Sequence, residues 1–439
     1  MCLLPFFLVL IVSIGASYFA AQKKADYFLA NRSLQWPMLL GTFLGAQIGG
    51  GFILGNTEVS FHHGLYGSMY GIGIALGMLL LGSGFGAKLR SLNVATLPEM
   101  LHQKYGSIAF QKIAAIVSIL SLAGGLMCQA IGLKMFLASL GFGSHLIYFL
   151  AWNCVVLYTT YGGLLAVVWT DTIQAVIMIS MLVITCVTAL MPQMSTIIEQ
   201  TSLMPHGLTG LSLSSLLFPL CFIFVQQDMA QRCFAAKTPK DATVSCLLTA
   251  AALIVLSAIP TMCGILGKAM GLMPGNGSIF MQVMQKIAHP AVFVMAGSAV
   301  LLAIISTASA ILLALSSNVA HDITRNRNAG HLTTLITGLV ASFGPFFSDD
   351  IIGGLVVSYE ISVGALFVPI ICAVLTRRAR LPKEAAIGAA LLGSLGTILS
   401  QCSQMSFLGL AAPFILSPTG FAIGWLIAKK RKPAVEVCG

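Results

Sequence analysis

Residues 39–57 read LLGTFLGAQIGGGFILGNT, with Gly49, Gly50 and Gly51 consecutive near the middle of an otherwise apolar run. The run is long enough to cross a bilayer as a helix. Each interior glycine costs a helix about 1 kcal/mol relative to alanine, so three in a row mark a weak point. Backbone groups freed at membrane depth must be buried in protein or line a cavity, because lipid cannot hydrogen-bond them. Discontinuous helices at the midplane are where transporters hold ions and solutes. Gly41, Gly45 and Gly49 also recur every fourth residue, the spacing of close helix packing. Packing accounts for those three, but not for Gly50, Gly51 or the adjacent Gln47.

The surrounding composition fixes the class. Of 439 residues 57% are hydrophobic and only 8% charged, whereas a soluble domain is about a quarter charged. A polytopic helical membrane protein with one transmembrane domain, 1–439, follows. The lipid bilayer is its medium, and a plasma (inner) membrane location is expected. A net charge of +10 would suggest nucleic acid in a soluble chain, but here the position of the basic residues explains it. The eleven cysteines lie mostly in apolar runs without paired spacing and read as small buried hydrophobes. Lys23 and Lys24 follow the first apolar run instead of preceding it, which favours an uncleaved helix over a signal peptide.

Apolar stretches of spanning length occur near 2–22, 36–58, 66–88, 109–138, 143–163, 165–192, 207–227, 242–268, 290–320, 329–347, 350–376, 384–402 and 406–428. Thirteen spans with the N-terminus outside put the C-terminus inside. On that count 20 of the 23 Lys and Arg residues fall inside or at an inside helix end, leaving Lys134, Lys268 and Lys286. Such a bias is the positive-inside rule, and a miscounted helix would have scrambled it. The outer connections near 192–206 and 269–289 read as short loops. There is no GxxxxGK[ST] phosphate loop, which argues against ATP as the energy source, and no HExxH or paired carboxylates of a membrane enzyme.

Few side chains within the spans carry chemistry. In LLAIISTASAILLALSSN (301–318), Ala303, Ser306 and Thr307 share one helix face. Two hydroxyls facing carbonyls of a broken helix form an all-oxygen site suited to a hard monovalent cation. The plainer alternative is hydroxyls bonded to carbonyls four residues back. Asp171 opens the sixth span, either interfacial at the inside edge or reaching toward an ion path, and Glu360 lies deeper, in VVSYEISVGALFVP, its alternative being an outer helix end with access to water; a carboxylate at membrane depth is a functional candidate. Gln47, Gln129 and Gln226 add neutral polar groups near membrane depth, while Gln226–Asp228 also suit a cytoplasmic helix exit. His62 and His63 suit a solvated outer turn.

Four stretches, DYFLANRSL (26–34), ATLPEMLHQKYG (95–106), YGGLLAVVWTDTIQA (161–175) and QQDMAQRCFAAKTPKDA (226–242), resemble the sodium:solute symporter family, in family order. The resemblance implies a leucine-transporter-like fold: inverted five-helix repeats, about 36–192 and 207–376, after a leading helix in 1–35 and before two trailing helices in 377–439. It also implies a sodium site of Gly45, Ile48 and Ala303 carbonyls with Ser306 and Thr307 hydroxyls. A second sodium set would use Asp171 and Ser309, although Ala310 stands where another hydroxyl belongs. GGGFILGNTEVSFHHGL (49–65) is similar to the family's choline-transporter-like branch. That branch needs an aromatic cage, and Gly67, Cys128 and Gln226 fall where aromatics would be expected.

The resulting expectation is a sodium-coupled symporter, not an enzyme, with Na+ and a small polar organic solute (an amino acid or amine) as partners. Neither nucleic acid nor an obligate protein partner is expected. The solute would lie against Gln47, Gly49, Gly50, Gly51, Gln129, Gln226 and Glu360. Two alternatives keep the fold: proton coupling through Asp171 or Glu360, and a solute sensor without turnover.

Overall fold

A computed structural model describes Gly15 and residues 26–204, 210–273, 277–326, 330–347, 350–376, 380–403 and 407–431. The expected leading helix at 2–22 lies, apart from Gly15, outside the described residues, as do Lys23, Lys24, Arg327, Arg377, Arg378 and Lys432. The described elements are helical, with one isolated bridge between Leu34 and Ala236.

In the first half, α1 (Trp36–Gln47) stops short of the three glycines, and a π-helical turn at Gly51–Gly55 leads into α2 (Asn56–His63). Next come α3 (Met69–Leu80), α4 (Gly86–Ser91), α5 (Leu97–Tyr105), α6 (Ile108–Ser139), α7 (His145–Thr185) and α8 (Met194–Leu203). The second half comprises α9 (Gly210–Val225), α10 (Gln227–Ala235), α11 (Pro239–Leu256), α12 (Ala258–Ala269), α13 (Ile279–Ile287), α14 (Pro290–Asn318), α15 (Gly330–Ala341) and α16 (Ile351–Leu375). The trailing pair is α17 (Lys383–Cys402) and α18 (Phe407–Arg431).

Every expected span after the first overlies helix. By length and composition, however, eight helical runs among the described residues qualify as crossing a membrane, or nine with α9 and α10 taken as one bent span. The number falls below thirteen partly because Gly51–Ser91 and His145–Leu203 each run through more than one expected span. Within α7 the division is real: Gly163 has φ +61° and ψ −174°, open to glycine but strained for other residues. Tyr27 pins that corner. Its carbonyl accepts the Leu164 N–H at 2.7 Å, and its hydroxyl donates to the Thr160 carbonyl at 3.0 Å. The outer connections also hold helix, α8 and α13, where loops were expected.

α14 is the axis of the molecule. Every residue from Ala296 to Asn318 is buried, as expected of a helix apolar all round and enclosed by others. It packs against α1, α6, α7 and α15. Large apolar side chains such as Leu120, Leu150, Val176 and Leu391 are left exposed on the outside, where lipid is their natural solvent. A capping box at Thr238 and Asp241 starts α11. Asp241 also accepts the Trp36 N–H at 3.1 Å, fastening the start of α1.

Candidate sodium and solute site

The weak point in the opening stretch is a true break. Ile48, buried, has φ −87° and ψ 80°, and the helix resumes beyond it. The Gly50 N–H, which a continuous helix would direct to Ala46, donates instead to Gln129 Oε1 on α6 at 2.8 Å. The Gly45 carbonyl, likewise released, accepts from Ser306 Oγ at 2.7 Å and Thr307 Oγ1 at 3.1 Å on α14. Ser306 Oγ also lies 2.9 Å from the Leu302 carbonyl and 3.2 Å from that of Ala303. One freed carbonyl, two helix carbonyls and two hydroxyls thus converge in a buried spot. Hydroxyls hold lone pairs as well as a proton, so rotation turns these two from donors toward Gly45 into ligands for a cation.

Close approach needs glycine here. A Cβ on Gly49 would sit 2.7 Å from Thr307 Oγ1 and 3.0 Å from Gln129 Oε1, and one on Gly45 would lie 3.1 Å from Asp171 Cβ.

A second break faces the first. Between α9 and α10 the chain bends by 42° at Gln226, which has φ −73° and ψ 114°. Gln47 Nε2 donates to Gln226 Oε1 at 3.3 Å, and Gln226 Nε2 donates to Asp228 Oδ2 at 3.0 Å. Gln227, Asp228, Gln231 and Arg232 are all buried. Gln226–Asp228 thus lie inside the protein at a helix break, and Arg232 is a buried residue and no loop charge. Interior polar groups beside a helix break resemble an interfacial end when only the local sequence is visible.

A narrow cavity lies between the breaks. Gln47, Gly49, Gly51, Gln129 and Gln226 line it, so most of the expected solute residues are brought together. Gly50 is not on its wall; a Cβ there would meet Gln129 and Ile304. Glu360 is not there either. It is buried against α17, where Gln401 Nε2 donates to its Oε2 at 2.5 Å, because adjacent residues of a helix point apart and Tyr359 takes the cavity side. Aromatics also line the space, contrary to the reading that placed Gly67, Cys128 and Gln226 at such positions. Phe52, Tyr70, Phe222 and Tyr359 are on the wall. Tyr359 stacks on Phe222 with centroids 4.0 Å apart, and its hydroxyl is 2.9 Å from that of Tyr70. Sequence reasoning missed these because they come from the Gly51–Gly55 turn and from α3, α9 and α16, which only the fold brings together.

Asp171 has a cation already. Arg232 Nη2 is 3.1 Å from Asp171 Oδ2, which also accepts from Thr42 Oγ1 at 2.7 Å. Arg232 Nε donates to Thr42 Oγ1 at 2.8 Å and Nη1 to the Asp228 carbonyl at 3.0 Å. Ser309 Oγ donates back to the Ser306 carbonyl at 2.9 Å. Asp171 Oδ2 and Ser309 Oγ, of the expected second sodium set, thus have protein partners, while Asp171 Oδ1 is buried without one.

Two facing helix breaks around a polar and aromatic cavity, flanked by an all-oxygen niche, define a secondary transporter of the broken-helix class. The chain belongs to the sodium:solute symporter family, whose model matches residues 27–333. It is 26% identical to the sodium/proline symporter of Escherichia coli (strain K12), covering 94% of this chain and 89% of that protein. It is also 26% identical to the high-affinity proline transporter PutP of Bacillus subtilis (strain 168), over 87% and 88% of the two chains. Among solved structures, a substrate-bound, outward-open Na+-coupled sialic acid symporter has the same fold, with TM-score 0.79, 17% identity and 98% coverage of each chain. Mhp1, a nucleobase-cation-symport-1 family transporter in a closed conformation, matches with TM-score 0.62, 15% identity and coverage of 92% and 95%. The protein is accordingly a multi-pass membrane transporter with Na+ as its coupled ion, and not an enzyme. No observation favours the choline-transporter-like branch over the others.

Proposed function

We propose that this protein imports a small amino acid together with one sodium ion by alternating access, across thirteen helices with the N-terminus outside. The observation that carries the reading is the Gly45 carbonyl, freed by the break at Ile48 and met by Ser306 and Thr307. Sodium would take the Gly45, Ile48 and Ala303 carbonyls and the two hydroxyls. By drawing α1 onto α14, it favours the conformation in which the cavity is formed. Solute binding and sodium binding then strengthen each other, as linkage requires.

Gln47, Gln129 and Gln226 offer amides to a carboxylate and an amine, while Phe52, Phe222 and Tyr359 enclose a small apolar body. This balance, together with the extensive match to sodium/proline symporters, makes proline the first solute to test. The single-sodium stoichiometry draws support from Arg232, which already compensates Asp171. The inverted-repeat reading draws support from the breaks at Ile48 and Gln226, each in the first span of its half.

In proteoliposomes clamped at one pH, an inward sodium gradient is expected to drive proline accumulation, and an equal potassium gradient is not. Equal uptake under the two gradients would defeat sodium coupling. A thermal-shift panel of amino acids, with and without sodium, separates a wrong solute from a wrong mechanism, since any true substrate stabilises more when sodium is present.

A further inference from the structure

Glu360 is a buried acid that the sodium and solute site does not use. Its side chain is fully buried in the middle of α16. One carboxyl oxygen accepts from Gln401, and the other, Oε1, is buried with no neighbour of opposite charge among the described residues and only the Ser400 hydroxyl close to the carboxyl. The backbone of the same residue is gripped too, with Thr397 Oγ1 donating to the Glu360 carbonyl at 3.2 Å. Ser400, on the α17 face between these two residues, is an immediate neighbour of the carboxyl.

No cation answers this acid among the described residues. The elements packed on α16 include α6, α9, α5, α17 and α18. They present Ser121 from α6, stacked Phe222 from α9, and the Tyr105 hydroxyl from α5, which donates to the Pro369 carbonyl farther along. From α17 come Thr397, Ser400 and Gln401. The titratable groups on α16 itself are Tyr359, which faces the cavity, and Cys372 near the far end. An unpaired carboxylate in such surroundings is costly, and a neutral acid that donates through Oε1 to a hydroxyl is not.

We propose that Glu360 is a proton-binding site in the seam between α16 and the trailing helix α17, and that its proton keeps the aromatic lid over the solute cavity closed. Tyr359 and Glu360 are neighbours pointing to opposite sides of α16: one closes on Phe222 and Tyr70, the other is held by α17. With the proton bound, the seam is neutral and tight. When the proton leaves, the carboxylate draws toward water, α16 loosens from α17, and Tyr359 follows. Gln401, exposed and one residue from the end of α17, gives the proton its route. This site is distinct from the sodium niche and does not require proline to be the solute.

Two measurements on the full-length protein test it, with protons as the probe. Infrared spectra should contain a protonated-carboxyl C=O band at neutral pH that Glu360→Gln removes; absence of that difference overturns the proposal. Should Glu360→Gln not fold, Gln401→Ala leaves the acid in place and should shift the band upward by removing its hydrogen bond, and an unmoved band is equally fatal. Lid opening is read by thiol labelling of Cys128, which lies beside Tyr70 and Tyr359, in a background lacking the other cysteines. The ratio of labelling rates, Glu360 protein over Glu360→Gln, cancels the thiol's own titration. The ratio should rise from one in acid by up to about tenfold per pH unit, the limit for one linked proton. A flat ratio overturns the link to the lid.

Discussion

At the scale of single residues, the decisive atoms are the Gly45 carbonyl and the Thr307 hydroxyl, 3.1 Å apart. Gly49 permits that approach, since a Cβ there would meet Thr307 Oγ1 at 2.7 Å. Thr307→Ala removes one oxygen ligand, and Gly49→Ala pushes the ligand away. A hydrogen bond or ligand contact to a charge is worth about 1.5–3 kcal/mol, so each change is expected to raise the half-saturating sodium concentration roughly 10- to 100-fold. Sodium-dependent thermal stabilisation of the purified protein measures this. An unchanged sodium response in Thr307→Ala would remove that residue from the site.

At the scale of elements, α1, α7 and α10 are joined through Thr42, Asp171 and Arg232, whose polar atoms lie 2.7–3.1 Å apart. Both charged side chains are almost wholly buried. Removing one partner strands the other, a change expected to cost about 3–5 kcal/mol. Asp171→Asn and Arg232→Met should therefore each lower thermal stability sharply, while the two together should lose much less than the sum. Additive losses in that double-mutant cycle would mean the pair is not coupled. Asp171 stood out in the sequence as an acid at membrane depth, but its partner did not. Arg232, among QQDMAQRCFAAK and close to Lys237, looks like an ordinary basic residue at a helix exit, and only the bend at Gln226 carries it inside.

At the scale of the whole molecule, one end of the bundle is laced shut. Leu97 N–H donates to Gln227 Oε1 at 2.9 Å, and Thr96 Oγ1 and Gln111 Nε2 donate to Asp322 Oδ1 at 2.9 and 2.7 Å. Arg32 reaches Asn93 and the Val94 carbonyl, and Gln231 Nε2 donates to the Phe28 carbonyl. These contacts tie the segment before α1, the approach to α5, α6, α10 and the turn Val319–Ile323 after α14 at the face rich in basic residues, which the charge bias assigns to the cytoplasm. On the proposed orientation, release to the cytoplasm must undo them. Thr96→Val with Gln227→Leu should raise labelling of a cysteine at Ala46, on the cavity wall, by reagent added from that face, several-fold over the same cysteine alone. Equal labelling would show that the network does not seal the inner path.

The sequence by itself determined the membrane class, the helix break at the glycines and the shared face of Ala303, Ser306 and Thr307. Those follow from hydropathy, glycine's backbone freedom and the three-to-four-residue repeat of a helix, all properties of neighbouring residues. Its family motifs carried the likeness to a sodium symporter. What only the tertiary structure decided was the partner of each buried polar group. Asp171 and Arg232 are 61 positions apart, Gln47 and Gln226 are 179 apart, and Tyr70 and Tyr359 are 289 apart. Glu360 illustrates the difference. Its place within an apolar span was legible from the chain, but whether it faced water, the solute or the trailing helix depended on the rotation of α16 about its axis, which is fixed by packing against α6, α9 and α17 and by nothing local to the residue.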